Sequence, residues 1–261
     1  MTGQLDHINI ICYKWGTAYT GEEVNILRAM VKRHLSVPHR FFCITDDATG
    51  LGDDIEVVDL PKFGLPGNGP KLWTFSKDFL GLGPDEYVVS LDVDIVIVDS
   101  LDFIAGQPEL DFVIAPHRVS NPISRGHGAV YRVKVGSHSF IWENLVRDFE
   151  NKTGPYFGPK QERFREQSWL ERQLPGEKMQ FFPANKVLVY RKDCHARAWT
   201  SFLGSKLGAM GFSTARFGTA RLPGIGEAVV SFSGKINPRD VKDSHCGHLK
   251  RAPFIAEHWH K

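Results

Sequence analysis

Several features that mark special classes of protein are missing from this chain of 261 residues. No apolar run approaches the roughly 20 residues that span a bilayer. The polar start, MTGQLDHIN, lacks the charged-then-apolar pattern of a signal peptide. A formal charge of only +2 leaves no electrostatic footprint for nucleic acid. We therefore expect a cytoplasmic protein without a nucleic-acid partner.

Cysteine is also scarce, and the four cysteines fall in no paired spacing. Cys12 and Cys43 lie inside apolar, strand-like runs, so we expect reduced, structural thiols. The chain has no internal repeat and no low-complexity segment. With 42% hydrophobic and 24% charged residues, it has the composition of an ordinary globular protein. This length and composition predict a single α/β domain over residues 1–261.

Hydrophobic periodicity predicts alternating strands and helices along the chain. The predicted strands are HINIICY, RFFCITDD, IEVVDL, the run around residues 87–99, DFVIAP and AVYRVKV. Helices are predicted over residues 21–35, 71–80 and 137–149. A loop is predicted at Gly126 and Gly128, and a mobile glycine-rich loop over residues 204–226. Such alternation predicts a Rossmann-like, mixed and mostly parallel sheet flanked by helices.

The segment YVVSLDVDIVIVD, residues 87–99, carries two carboxylates inside an otherwise apolar run. An ionised aspartate is costly in a low-dielectric interior, so we expect Asp92 and Asp94 at a strand end that opens on a cleft. Two hard oxygen ligands together favour Mg²⁺ or Mn²⁺. The alternative is a strand-end turn in which the same side chains only cap backbone amides.

Four further segments accompany the Asp-x-Asp run. They are the opening strand that ends in Cys12 and Tyr13, KLWTF with Lys71, EQSWLERQL from Glu166, and VVSFSGKINP with Gly234. Together these residues resemble GT-A nucleotide-sugar glycosyltransferases, of the retaining family 8 type that includes glycogenin and bacterial lipopolysaccharide galactosyl- and glucosyltransferases. The resemblance implies a nucleotide-binding half of about residues 1–100 and an acceptor half of about 101–261.

By this resemblance the protein moves a hexose from a nucleotide sugar, of the UDP type, to a saccharide or lipid-linked acceptor. The resemblance implies Mn²⁺ or Mg²⁺ on Asp92 and Asp94, bridging the two phosphates. The catalytic residues that it implies are Asp94, Gln167, which would lie beneath the sugar ring, and Glu166, which would hold a sugar hydroxyl. The substrate-binding residues that it implies are Tyr13 at the base, Lys71 and Asp92, Asn121 at the donor sugar, and Gly234 and Lys235 at the diphosphate.

The chain also departs from the family pattern. Ser231 stands where the family has its histidine metal ligand, Asn237 where it has a lysine before proline, and Ser168 where it has a second acid. Serine is a poor metal ligand, so water, or an imidazole such as His245 or His248, is expected to complete the site. Those histidines with His258 and His260 also suggest zinc, although solvated tail residues are favoured because no cysteine pair lies at ligand spacing.

Two rival functions remain open at this point. LDVDIV matches the signature of haloacid-dehalogenase phosphohydrolases, with Asp92 as the nucleophile, although about 90 residues of α/β pattern precede it here. A sugar-nucleotide-binding protein without catalysis is the second rival, since the third metal ligand is missing. The basic tail, with charges at Lys242, Lys250, Arg251 and Lys261, suits either solvated charge or peripheral contact with the inner membrane surface.

Overall fold

The structure is a computed structural model that describes residues 3–117, 125–157, 163–175, 178–194, 218–232, 234, 236–247 and 249–261. The chain divides into two compact units. The first consists of Met1–Gly21, Val37–Asp92 and Asp102–Ala184, and the second of Glu22–Ser36, Val93–Leu101 and Asn185–Lys261. Each unit therefore contains one aspartate of the Asp-x-Asp pair, Asp92 in the first and Asp94 in the second.

The strands, in chain order, are β1 (Ile8–Lys14), β2 (His39–Thr45), β3 (Glu56–Asp59), β4 (Tyr87–Leu91), β5 (Ile95–Ile97), β6 (Phe112–Pro116), β7 (Gly126–Lys134), β8 (Val187–Val189) and β9 (Val229–Ser231). The α-helices are α1 (Gly21–His34), α2 (Phe140–Glu150), α3 (Glu166–Gln173), α4 (Tyr190–Asp193), α5 (Pro238–Val241) and α6 (Phe254–His258). Short 3₁₀ helices cover Gly69–Phe75, Phe79–Gly81 and Asp102–Ala105.

The first unit is built on a six-stranded sheet in the order β3-β2-β1-β4-β7-β6. Strands β3, β2, β1 and β4 run parallel to one another, and β7 runs antiparallel to both β4 and β6. Every residue of β1, β4 and β6 is buried, as their apolar sequences require for strands covered on both faces. The predicted fold class, a mixed and mostly parallel α/β sheet, is confirmed.

Helices α2 and α3 complete the core of the first unit. Ile141 of α2 and Trp169 of α3 belong to the same apolar cluster as Tyr131 of β7. The Trp169 indole N–H donates to the Ile141 carbonyl oxygen at 3.0 Å, which satisfies the one polar atom of a ring that is otherwise buried. Full burial of each large apolar side chain contributes roughly 1.5–3 kcal/mol, and this packing fixes where α3 begins.

A buried arginine on β7 holds the segment that connects to β6. The Arg132 guanidinium donates to the backbone carbonyl oxygens of Ile104 at 2.8 Å, Gln107 at 2.7 Å and Leu110 at 3.2 Å, and also to that of Gly106. It also lies over the Tyr87 ring, with the guanidinium carbon 5.1 Å from the ring centroid. Burial lowers the pKa of Arg132 to about 10. The group remains a cation at neutral pH and organises this segment.

The second unit contains a three-stranded sheet in the order β5-β9-β8, with β5 antiparallel and β8 parallel to β9. Helix α1 belongs to this unit except for its first residue. It is joined to β5 by a bond from the Ile97 N–H to Met30 Sδ at 3.4 Å. Acidic residues in its first turn and basic residues in its last turn complement the helix dipole. The helix predicted over residues 21–35 is confirmed.

The helix predicted over residues 71–80 is wrong. The chain forms the two 3₁₀ helices at Gly69–Phe75 and Phe79–Gly81, separated by an extended Ser76, and Leu80 has a φ of 55°. The Trp73 and Phe79 rings meet edge to face at 5.1 Å. Burial of these aromatic residues therefore decides the backbone path, and tertiary packing overrides the helical periodicity.

The loop predicted at Gly126 and Gly128 is also wrong, because both residues lie in β7. A Cβ on Gly126 would approach Ile114 Cδ1 to 2.6 Å and Met179 Sδ to 3.0 Å. These glycines mark close packing of a strand against its neighbours.

The other two expectations concern the Asp-x-Asp segment and the glycine-rich loop. The chain leaves β4 at Leu91 and enters β5 at Ile95, so the carboxylates follow a strand end as expected. Of the loop predicted over 204–226, residues 204–217 lie outside the described residues. In the part of the chain that the structure describes, no helix combines the length and apolar character needed to cross a membrane.

Candidate active site

A buried lysine is the centre of the polar cluster in the first unit. Lys71, in the 3₁₀ helix Gly69–Phe75, is 5% exposed. Its Nζ lies 2.6 Å from Asp92 Oδ1 and 3.3 Å from Glu166 Oε2, and it donates to the Gly128 carbonyl oxygen at 3.3 Å. An ammonium group has three protons, and three acceptors surround this one. Lys71 therefore joins two carboxylates that are 74 residues apart in the sequence, the difference between positions 166 and 92.

Irregular pairing between β6 and β7 positions the Gly128 carbonyl. Ile114 pairs with Tyr131, but the next residue, Ala115, pairs with His127, so β7 has extra residues at this point. On its other side β7 stays bonded to the end of β4, where the Asp92 N–H donates to the Ala129 carbonyl oxygen at 3.0 Å. A bulge of this kind re-aims backbone groups, and here it directs the Gly128 carbonyl oxygen to Lys71.

Glu166 opens helix α3 and is 5% exposed. Burial raises the pKa of its carboxyl to about 7; Lys71 works against the rise and Asp92 adds to it. Among the described residues, its second oxygen, Oε1, has no hydrogen-bond partner. A Cβ on Gly128 would lie 3.0 Å from this oxygen, so the carboxyl needs glycine at that position. The site thus presents a buried acceptor oxygen without a donor in the part of the chain that the structure describes.

Lys71 itself remains charged. Burial acts to lower its pKa, but attraction to Asp92 and Glu166 outweighs burial and raises the pKa well above its ordinary value. Two hydroxyl groups brace its backbone, since Thr74 Oγ1 and the Tyr131 hydroxyl donate to the Lys71 carbonyl oxygen at 2.8 and 3.4 Å. Burial is also the main cause that raises the pKa of Tyr131 to about 12, so this phenol stays neutral.

Tyr13, the predicted base contact, lies in the same network. Its hydroxyl is 2.9 Å from Thr74 Oγ1, and its ring meets Trp15 edge to face at 6.2 Å. The residue is 5% exposed, and burial raises the pKa of its phenol well above the ordinary range. Only a small part of Tyr13 is therefore open to a ligand, and its role at a base stays a prediction.

Gln167, the second residue of α3, is half-buried and adjacent to Glu166 in the chain. Asp92 keeps 31% of its side chain exposed although one oxygen is held by Lys71. The structure thus brings Lys71, Asp92 and Glu166 into contact within the first unit. Neither Gly128 nor Thr74 was predicted as part of this cluster. No sequence signal distinguished them from an ordinary loop glycine and an ordinary helix threonine.

Three other predicted positions belong to the second unit. Asp94 is 9% exposed, and its carbonyl oxygen accepts the Phe232 N–H at 3.2 Å. Gly234 has a φ of 85°, a conformation that favours glycine. Ser231 is fully buried, and its hydroxyl donates to the Leu188 carbonyl oxygen at 3.0 Å. The hydroxyl of Ser231 is thus engaged within the sheet rather than available as a metal ligand.

The predicted donor-sugar residue Asn121 and the diphosphate residue Lys235 lie outside the described residues, as does His248. In the described ranges, no three His, Cys, Asp or Glu side chains form a group that could hold a metal ion. The cysteines Cys12, Cys43, Cys194 and Cys246 are all free in the structure, and their reduced state stays a prediction. In the basic tail, Lys261 pairs with Glu22 and Lys242 with Asp243.

The sheet order and the helices around it are those of the GT-A class of fold, which the sequence resemblance predicted. Solved structures that share this fold include two of LgtC. One is the galactosyltransferase LgtC in complex with donor and acceptor sugar analogs, which is 13% identical, covers 88% of this chain and 89% of that chain, and has a TM-score of 0.51. The other is an active-site mutant of LgtC in which glutamate replaces a glutamine, at 12% identity with the same coverage and TM-score. No protein-family model and no curated protein matches the chain.

Proposed function

We propose that the protein is a metal-dependent glycosyltransferase that moves a hexose from a UDP-type nucleotide sugar to a saccharide or lipid-linked acceptor, with retention of configuration. The observation that carries the proposal is the Lys71 cluster. This cluster joins Lys71 of KLWTF, Asp92 of the Asp-x-Asp run and Glu166 of EQSWLERQL, on a fold shared with LgtC. The meeting of three separate motifs of the resemblance at one ammonium supports the proposal.

The donor set fits a hard divalent cation. Asp92 and Asp94 are carboxylates separated by one residue in the chain, and they would supply two ligands. Because the Ser231 hydroxyl is bonded to the Leu188 carbonyl oxygen, phosphate oxygens and water would complete the coordination of the cation. Mg²⁺ is commonly held in this way, by one or two carboxylates with substrate phosphates. When bound, Mg²⁺ or Mn²⁺ would supply positive charge to the diphosphate.

The chain's own residues would orient the sugar and limit water access. Glu166 Oε1, a buried oxygen without a described donor, would accept a hydrogen bond from a sugar hydroxyl. Lys71 would hold that carboxyl and Asp92 in fixed positions, so no reorganisation would be needed during reaction. Gln167, the neighbour of Glu166, would face the reacting carbon. An active-site glutamine is also the residue exchanged in the LgtC mutant.

The remaining predicted contacts complete the proposal. Gly234 and Lys235 would hold the diphosphate, Tyr13 the base and Asn121 the donor sugar. Most of the rate enhancement would come from placing donor and acceptor in line and stabilising the departing diphosphate. The two-half organisation, with nucleotide binding in residues 1–100, and peripheral contact of the tail with the inner membrane surface are parts of the same proposal.

Calorimetric titration with UDP tests this function. We expect binding with Mn²⁺, loss of binding with a chelator, and loss of binding in Asp94→Ala. Asp243→Asn is the matched control, since it removes a carboxylate that is 80% exposed in the same unit. Absence of UDP binding under both conditions would contradict the proposal and favour phosphatase assays. Binding without hydrolysis or transfer of any UDP-hexose would instead identify a non-catalytic sugar-nucleotide-binding protein.

A further inference from the structure

The sheet of the second unit brings three chain segments to one edge. Val189 of β8 lies beside Ser231 of β9 in a parallel pair, so the chain leaves both strands at the same edge. Ile95 of β5 also lies beside Ser231, in an antiparallel pair. Asp94, the residue before β5, therefore lies at this edge as well. Helix α4 follows β8, and the Gly234 turn follows β9.

Helix α4 is fixed to that turn by packing. The Tyr190 ring, fully buried, stacks on the Phe232 ring with centroids 4.7 Å apart and an interplanar angle of 22°. The Val189 N–H donates to Asp193 Oδ2 at 2.7 Å, which ties the end of the helix back to the strand before it. The backbone of Arg191, which lies between these anchors, is thus held at a fixed place on the edge.

The Arg191 side chain lies against Gly234. A Cβ built on Gly234 would be 3.8 Å from the Arg191 guanidinium carbon and Nη2, and 3.9 Å from Nη1. Arg191 is exposed, and within the described ranges no carboxylate forms an ion pair with it. An exposed guanidinium lies beside a glycine turn with a φ of 85°, at the edge that also carries Asp94.

Position 237, where the resemblance implies a lysine, has a structural role in this chain. Asn237 stands in place of the family's lysine. It forms a capping box with Asp240, in which the Asn237 N–H donates to Asp240 Oδ2 at 2.8 Å. Asn237 therefore supplies a helix cap and no positive charge.

We propose that Arg191 is a diphosphate-binding residue of this chain and supplies from α4 the positive charge that position 237 lacks. The inference rests on the proposed function. A guanidinium presents a planar fork that binds two phosphate oxygens at once, and the absence of a side chain on Gly234 leaves room for a phosphate to reach it. The cation that Asp94 would help to hold and the Arg191 guanidinium would then both present positive charge to the same diphosphate.

The test is UDP binding, measured by calorimetry with Mn²⁺, in Arg191→Gln, Arg191→Lys and Lys192→Gln. Loss of a bidentate, charge-assisted contact should weaken binding by roughly 10- to 100-fold in Arg191→Gln. Arg191→Lys should recover part of that loss. Lys192→Gln removes an equal charge from the adjacent exposed position of α4 and should stay within about twofold of wild type.

Two results would overturn the assignment of Arg191. One is UDP binding by Arg191→Gln within twofold of wild type, and the other is an equal loss in Lys192→Gln. A wild-type protein that does not bind UDP with Mn²⁺ would instead refute the proposed function itself, so the two failures are distinguishable. Urea unfolding of each variant confirms that the comparison is made between folded proteins.

Discussion

Replacing Glu166 with glutamine removes a buried carboxyl whose pKa is raised, and it keeps the shape of the side chain. In the folded protein, burial raises the pKa of Glu166 to about 7 from an ordinary value of 4.5, despite the opposing effect of Lys71. Glutamine in the same position does not titrate. The substitution should therefore change how the free energy of unfolding depends on pH.

The sign and size follow from proton binding. Between pH 4.5 and 7 the folded protein binds more protons at Glu166 than the unfolded chain does, so the free energy of unfolding falls as pH rises. The contribution is fully present below pH 4.5 and is lost by the time pH has risen through 7. A pKa difference of about 2.5 is worth about 3 kcal/mol, of which about 2.5 kcal/mol falls between pH 5 and pH 8.

The assay is urea unfolding of wild type and Glu166→Gln at pH 5 and pH 8. Burial lowers the pKa of His34, His138 and His258, whose stabilising contributions are lost as pH falls, in the opposite direction to that of Glu166. These histidines are present in both proteins, so subtracting the two pH profiles isolates Glu166. Glu171→Gln, which removes a more exposed carboxylate from the same helix, controls for the loss of one negative charge.

We expect wild type to lose about 2.5 kcal/mol more than Glu166→Gln between pH 5 and pH 8. Equal losses in the two proteins would refute the reasoning. They would mean that Lys71 keeps Glu166 fully ionised, so that the cluster contains a carboxylate anion at both pH values.

Three further substitutions test the same cluster and its support. Lys71→Met should destabilise the fold by about 3–5 kcal/mol at pH 8, and by less at pH 5 where Glu166 can take up a proton; urea unfolding at both pH values checks this, and equal losses would contradict it. Gly128→Ala should cost about 1–3 kcal/mol, because the new Cβ would lie 3.0 Å from Glu166 Oε1. Combining it with Glu166→Asp, which shortens the acid, should recover much of that cost, and an unchanged cost would rule out the clash. Arg132→Met should lower stability by about 3 kcal/mol in thermal or urea unfolding, since four buried or partly buried carbonyl oxygens lose their donor; a variant as stable as wild type would show that the carbonyls find other donors.

Local patterns predicted the parts of the fold that depend on short-range order. The apolar run from His7 becomes β1 (Ile8–Lys14), and the periodic segment from Gly21 becomes α1 (Gly21–His34). The position of Asp92 at a strand end also followed from local physics, because the cost of burying a charge excludes it from the interior of an apolar strand.

Packing between distant segments decided what those patterns could not. Leu72, Phe75 and Phe79 have helical spacing, yet the backbone forms two 3₁₀ helices because Trp73 and Phe79 pack against each other and against the core. The prediction of a loop at Gly126 was wrong because it, too, could not take packing between distant segments into account. Its close contact with Ile114 and Met179 is visible only once three separate segments are folded together.

The candidate site also combines features that local sequence predicts with features that depend on packing between distant segments. An acid in the first turn of a helix is favoured by the helix dipole, so the sequence around Glu166 is equally consistent with an exposed helix start. Its burial, its raised pKa and its bond to Lys71 all depend on where α3 packs against β7, which no spacing in the sequence encodes. The resemblance identified Lys71 and Glu166 separately, as a basic substrate-binding residue and as an acid that holds a sugar hydroxyl. Their contact at 3.3 Å instead makes them one unit, so substitution of either should alter the ionisation of the other.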